Sequence, residues 1–263
     1  MKDKKLQTKK AYLLLGFAMA LIVVMLLRMN EDVSSLDTHL FSLSDAMLFS
    51  MGSYCYGLSL VPFLLIAIVY ALKNDFLNSR VLLYPSKRAL WVMQEKKIFL
   101  ISIFYITFFL LVVFSFGVLR HYVWFNWGEA ESYYFVKNHD IFYGDFAQVW
   151  VSAFFLGMIR NMIFGNLVLL SKWGTKRTIY GVIVAFIVCI CEIILSGAIR
   201  SLMLFGIKKI RIIMSLFEVN YKMFQSDGER IFMVVWALII GTFFVMVFYM
   251  LRRKKEFFDD LVF

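Results

Sequence analysis

Six stretches of this chain run for about twenty residues with few or no charges: 11–29, 46–72, 98–119, 147–170, 178–200 and 231–251. A helix rising about 1.5 Å per residue needs about 20 apolar residues to cross the roughly 30 Å of hydrocarbon in a bilayer. Inside lipid no water meets the backbone, so a segment of that length must bond to itself, and a helix does so. The expected fold class is therefore all-α: a polytopic membrane protein of six transmembrane helices forming a single transmembrane domain over 1–263. No polar stretch between the runs is long enough to build a separate soluble core.

Charge in the connecting segments sets the expected orientation, because cytoplasmic loops retain Lys and Arg. The first ten residues hold five Lys, 73–97 six Lys or Arg, 171–177 three, and 252–263 four. Between them, 30–45 has no Lys or Arg and four acids, Glu31, Asp32, Asp37 and Asp45, while 119–146 has only Arg120 and Lys137. The N- and C-termini are thus expected in the cytoplasm, and the run 11–29 is expected to be an uncleaved first span, since no small-residue cleavage site follows it. One segment breaks the alternation: 201–230 falls on the outer side yet carries Lys208, Lys209, Arg211, Lys222 and Arg230. On a helical wheel Lys208, Arg211, Ser215, Glu218, Lys222 and Gln225 share an arc opposite Ile210, Ile213, Phe217, Tyr221 and Phe224. This pattern predicts an amphipathic helix lying at an interface before the sixth span, on a side the pattern leaves open.

The composition, 62% hydrophobic and 17% charged, departs from soluble domains in the direction of lipid. A formal charge of +10 would suit nucleic acid, but the cations sit in short clusters beside apolar runs, which suits anionic headgroups. No nucleic-acid partner is expected. Cys55, Cys189 and Cys191 lie inside apolar runs without metal-ligand or redox spacing, and His39, His121 and His139 are scattered, so no metal or cofactor is expected. No phosphate-binding glycine loop, no H-E-x-x-H and no G-x-S-x-G occurs. The chain is expected not to be an enzyme, and any ATP hydrolysis belongs to a separate partner.

Charges inside the runs carry more information, since each costs several kcal/mol near the bilayer centre and normally faces protein. Arg160 and Glu192 lie roughly 15 and 21 Å from the inner ends of their runs at about 1.5 Å per residue. They are expected to form an intramembrane pair joining the fourth and fifth spans, with a polar lining for a substrate path as the alternative. Small residues at four-residue spacing occur on both runs: Ala153, Gly157, Asn161 and Gly165 on one, Gly181, Ala185 and Cys189 on the other. Such stripes allow close helix packing. Pro62 is expected to kink the second span. The aromatic run Tyr122, Trp124, Phe125, Trp127, Tyr133, Tyr134 and Phe135 is expected to anchor at the membrane interface.

Pro85 separates 82–84 from a stretch at 86–97 able to form a short basic helix, with Lys87 and Arg88 near its start and Trp91 in its middle. The layout of six spans, inner termini, a long inner loop after the second span and helical material before the sixth resembles the membrane subunit of a type-2 ABC exporter. The string Arg80-Val-Leu-Leu-Tyr84-Pro-Ser86-Lys87-Arg88-Ala-Leu-Trp91 is also similar to permeases of small Firmicute ABC exporters of the bacteriocin, peptide-export or immunity type. The resemblance implies that 73–97 is the coupling loop, whose helix docks on a separate nucleotide-binding ATPase subunit. Tyr84 and Trp91 would supply apolar anchors there, and Lys87 and Arg88 would steer toward an acidic groove. It further implies a second permease copy, as homodimer or with a paralogue, in a bacterial cell membrane. The substrate expected is amphipathic, a peptide or lipid, because Phe- and Met-rich surfaces adapt to varied shapes.

Two other classes stay open on the residues alone. A stand-alone membrane protein for immunity or sensing needs no coupling helix and no ATPase. An intramembrane enzyme requires several polar side chains converging in one cavity, and Glu192 alone does not supply them.

Overall fold

A computed structural model describes residues 17, 20–24, 27, 41–73, 75, 84, 87–138, 142, 144–175, 177–202, 224, 234–235, 237–242 and 245, with the side chains of 87–88, 136–138 and 192–202 excepted. Regular structure among these residues is helical, with one isolated backbone bridge between Ser42 and Val123. The helices are α1 (Leu43–Met51), α2 (Ser53–Ser59), α3 (Val61–Leu72), α4 (Lys87–Leu119), α5 (Tyr133–Asn138), α6 (Phe146–Thr175) and α7 (Thr178–Leu202). Among the described residues two apolar segments, Ala89–Leu119 and Phe146–Thr175, are long enough to cross a membrane, and the bent pair α2 and α3 makes a third if it counts as one span. The first and sixth runs lie mostly outside the described residues. Their described positions are helical, with Ile22 and Ala237 fully buried.

The second run is helical but broken twice. Ser42 caps α1 in a capping box: its side chain accepts from the Asp45 amide, and the Asp45 carboxylate accepts from the Ser42 amide. At Gly52 the backbone leaves helical geometry (φ −57°, ψ 148°), and between α2 and α3 the axis bends by 42°. Pro62 sits in the first turn of α3, where its missing N–H is tolerated but cannot serve the Leu58 carbonyl, so the kink expected there is present. Backbone bonds Gly52 to Leu48, Tyr56 to Gly52, Leu60 to Tyr56 and Leu64 to Leu60, all 3.0–3.1 Å, flank both breaks.

The third run differs from expectation at its start. The short basic helix expected at 86–97 is not a separate element: α4 runs unbroken for 33 residues from Lys87. Nothing between Trp91 and Ile98 interrupts a helix, so the basic turns extend the apolar ones. At about 1.5 Å per residue, α4 is roughly 50 Å long, well beyond the hydrocarbon thickness. Its far end closes with a two-bond cap, Tyr122 N–H to the Gly117 carbonyl at 3.0 Å and His121 N–H to Val118 at 3.1 Å, with His121 in the left-handed region (φ 56°).

Packing is tightest where glycines let helices approach. A side chain at Gly181 of α7 would lie 2.5 Å from the Val168 backbone and 2.7 Å from the Leu167 carbonyl, so α6 and α7 meet backbone to backbone. Gly181, Ala185 and Cys189 are buried along that contact, as their spacing predicts. The stripe on α6 faces elsewhere. Substituents at Gly157 would strike Ile106 and Met51, and at Gly165 Ile98, so this stripe seats α4 and the broken run rather than α7. The rest of α7 is outward and apolar: Ile179, Ile183, Ile187 and Ile190 are each about half exposed. Meanwhile Asp45, Asp75, Gln94, Arg160 and Asn161 are buried. Apolar outside and polar inside is the distribution hydrocarbon requires and water opposes.

The connecting segments gather at two ends. Phe41, Asp45, Trp127, Tyr134, Phe142 and Phe224 meet at one, the aromatic end; Asp75, Trp91, Gln94, Lys97 and Trp173 meet at the other, the basic end. The described parts of 41–45 and 119–146 fall at one end and those of 73–97 and 171–177 at the other, a grouping the Lys and Arg alternation also makes; 1–10 and 252–263 lie outside the described residues. Phe224, the one described residue between the end of α7 and 230, joins the aromatic end, so that position lies on the side shared by 41–45 and 119–146.

Candidate functional site

Three buried polar clusters hold the bundle, one at mid-depth and one at each end. At mid-depth Arg160 of α6 is 2% exposed. Its guanidinium lies over the Tyr56 ring, 4.3 Å from the centroid, and one terminal nitrogen donates to the Met51 carbonyl at 3.4 Å. Met51 ends α1 and Tyr56 lies in α2, so the cation touches both sides of the Gly52 break. A cation near the last carbonyls of a helix is held by their partial negative charge. The Tyr56 hydroxyl donates to Asn161 Oδ1 at 2.5 Å, also lies 3.2 Å from the Gly157 carbonyl, and Asn161 Nδ2 donates to the Ser102 carbonyl at 3.3 Å. Helices α2, α4 and α6 are thereby tied through one asparagine.

Arg160 thus makes contacts that the expected pairing with Glu192 did not foresee. Glu192 lies in α7, but its side chain is outside the described residues, so the pair itself is not described. An isolated Asn in an apolar run was the available sequence signal for this cluster. Tyr56 gave none, because a tyrosine in such a run reads as ordinary apolar bulk.

At the basic end Lys97 Nζ bridges both oxygens of Asp75, at 2.5 and 2.7 Å; the Asp75 side chain is fully buried and that of Lys97 about one-third exposed. One turn before Lys97, Gln94 Oε1 accepts from the Trp173 indole at 2.8 Å, and Trp173 packs edge-on against Trp91 with centroids 5.5 Å apart. Glu95, half-buried beside them, shares a side-chain hydrogen bond with Asn166. The ends of α3, α4 and α6 are therefore clamped together at the basic end.

Trp91 is 7% exposed and packed on Trp173, so in this conformation its ring is part of the core. Counting back from Lys97 toward the start of α4, Trp91 falls on the same face as Gln94, and that face meets α6. Tyr84 is half-buried and packs against the core. Lys87 and Arg88 form the first turn of α4, and their side chains lie outside the described residues.

At the aromatic end Asp45 is fully buried and accepts three hydrogen bonds: Ser42 N–H at 2.8 Å, Ser42 Oγ at 2.6 Å and Trp127 Nε1 at 3.0 Å. Trp127 stacks on Tyr134 with centroids 4.6 Å apart, and the Tyr134 hydroxyl donates to the Phe224 carbonyl at 3.0 Å. Trp127 and Tyr134 are wholly buried, so this part of the aromatic run builds a core, whereas Trp124, 57% exposed, keeps the outward position expected of an anchor. Burial pushes the Tyr122 phenol above its ordinary value, with Arg120 opposing, and the ring stays neutral near pH 7.

Comparison of the chain with protein-family models, with curated proteins and with solved structures gave no match.

Proposed function

We propose that the chain is the membrane-spanning permease subunit of an ABC exporter, crossing a bacterial cell membrane six times with both termini in the cytoplasm. ATP is hydrolysed by a separate nucleotide-binding subunit, and a second permease copy or paralogue completes the path for an amphipathic peptide or lipid. The observation that carries this reading is the clamp at the basic end. The turns 87–97 are continuous with the apolar part of α4 and locked to α3 by Lys97–Asp75 and to α6 by Trp173–Gln94. A partner pushing on Lys87 and Arg88 would move the bundle as a lever, which is what rigid-body switching between access states requires. In this reading Tyr84, Lys87 and Arg88 meet the ATPase, and Trp91 transmits the load inward through Trp173. The chain itself does no covalent chemistry.

Purification in mild detergent from its native host tests the proposal. A nucleotide-binding subunit should accompany the chain, and Lys87→Ala with Arg88→Ala should weaken its retention at least tenfold. Absence of any such subunit, together with an unchanged phenotype of the double variant, would overturn it.

The burial of Trp91 favours a second reading, a stand-alone membrane protein for immunity or sensing, because it removes the largest apolar anchor from the loop surface. That reading expects the chain to confer its phenotype when expressed alone.

A further inference from the structure

We propose that Arg160 is the pin of a hinge at Gly52, so that the angle between α1 and α2 is set by a side chain of α6. Glycine at 52 departs from helical geometry, yet the Leu48, Gly52, Tyr56 and Leu60 carbonyls keep backbone partners across the run. A turn at Gly52 therefore keeps these four bonds, whose loss in lipid would cost several kcal/mol each. What fixes the angle is the guanidinium. It holds the Met51 carbonyl on one side of the break and the Tyr56 ring on the other, and straightening the backbone at Gly52 must separate that ring from that carbonyl. A planar cation suits both tasks at once, with its edge donating and its face on the ring.

Further contacts make the hinge readable elsewhere in the bundle. Rotation of α2 carries the Tyr56 hydroxyl away from Asn161, which in turn holds the Ser102 carbonyl of α4. Tyr56 of α2 packs edge-on against Phe109 of α4, and beyond the 42° bend the Tyr105 hydroxyl of α4 donates to the Phe63 carbonyl at 3.3 Å, so α4 contacts the segment on both sides of it. A rotation of α2 thus reaches Asn161 of α6 and, through it, the Ser102 carbonyl of α4, while the amides of 103–116 keep their own helical bonds. This inference stands apart from the exporter proposal, since it holds for any function the bundle serves.

Hydrogen exchange on the full chain in lipid nanodiscs tests it. Arg160→Gln should raise amide exchange across 53–60 at least tenfold while the amides of 103–116 in α4 stay within threefold of the unmodified protein. Tyr56→Phe keeps the ring under the cation and should leave 53–60 within threefold. Exchange at 53–60 unchanged by Arg160→Gln, or rising equally across α4, would overturn the pin, the second case marking a general loss of packing. Arg160→Lys, which keeps the charge without the planar face, is read by the same criteria and decides the matter if Arg160→Gln does not fold.

Discussion

The indole nitrogen of Trp127 donates to the carboxylate of Asp45 across 82 positions of sequence, and both residues are fully buried. That bond joins the capping box of α1 to the segment between α4 and α6, so one acid both starts a helix and fastens the aromatic end. Asp45→Asn sets an amide N–H against either the Ser42 N–H or the Trp127 indole N–H, and is expected to cost about 1–3 kcal/mol, the usual penalty for an unsatisfied buried group. Thermal unfolding in detergent, with a red shift of tryptophan emission that Trp127→Phe removes, checks it. Equal stability of Asp45→Asn and the unmodified chain would contradict the arrangement.

Lys97 and Asp75 form a pair in which the acid is buried and the base partly exposed. Removing Lys97 takes a two-oxygen partner from a buried carboxylate, so Lys97→Met should destabilise more than Asp75→Asn, and the double variant should recover part of the loss. A double-mutant cycle is expected to give a coupling of about 1–3 kcal/mol, toward the lower end because Lys97 is solvent-screened.

Gly181 lies against the α6 backbone, whereas a side chain at Gly128 would meet nothing within 4 Å. Gly181→Ala should therefore cost about 1–3 kcal/mol by overpacking. Gly128→Ala should be near neutral. Chemical denaturation of the two variants side by side, with similar midpoints, would show that α6 and α7 do not meet at that glycine.

Trp91→Ala is expected to lose about 3–5 kcal/mol of stability, as for a large aromatic removed from a core. Lys87→Ala and Arg88→Ala should leave the unfolding midpoint unchanged. The three variants measured together separate a packing role for Trp91 from a docking role for the cations. A stable Trp91→Ala protein would return that tryptophan to the surface.

His121 occupies the left-handed position of the cap that ends α4, a conformation glycine adopts without steric cost. His121→Gly should stabilise the chain by about 1 kcal/mol, since the left-handed region costs a side chain roughly 1–2 kcal/mol and glycine's added freedom when unfolded offsets part of the gain. A lowered unfolding temperature would show that the imidazole contributes more than the backbone strain it imposes.

Much of the architecture was legible in local pattern, because it depends on properties each residue carries without a partner. Apolar run length identified 98–119 and 147–170 within the long helices α4 and α6, Pro62 placed the bend, and the spacing of Gly181, Ala185 and Cys189 marked the face that packs. Among the described residues, the alternation of Lys and Arg set 41–45 and 119–146 apart from 73–97 and 171–177, as the two ends of the bundle do. Length, ring closure at proline and the absence of a side chain act within a few residues, so a sequence read alone exposes them.

The contacts at the candidate sites were settled by tertiary structure. Arg160 meets Met51 and Tyr56, more than a hundred positions away, and nothing in the pattern around 51–56 distinguishes those residues from their apolar neighbours. Asp45 belonged by composition to an acidic connecting segment, and Trp91 to a basic loop. The first turned inward because a capping box and an indole supply the donors a buried carboxylate needs, the second because α4 continues without a break and brings that face against Trp173. Which side of a helix faces protein is fixed by the helices beside it, and that information is spread over the whole chain.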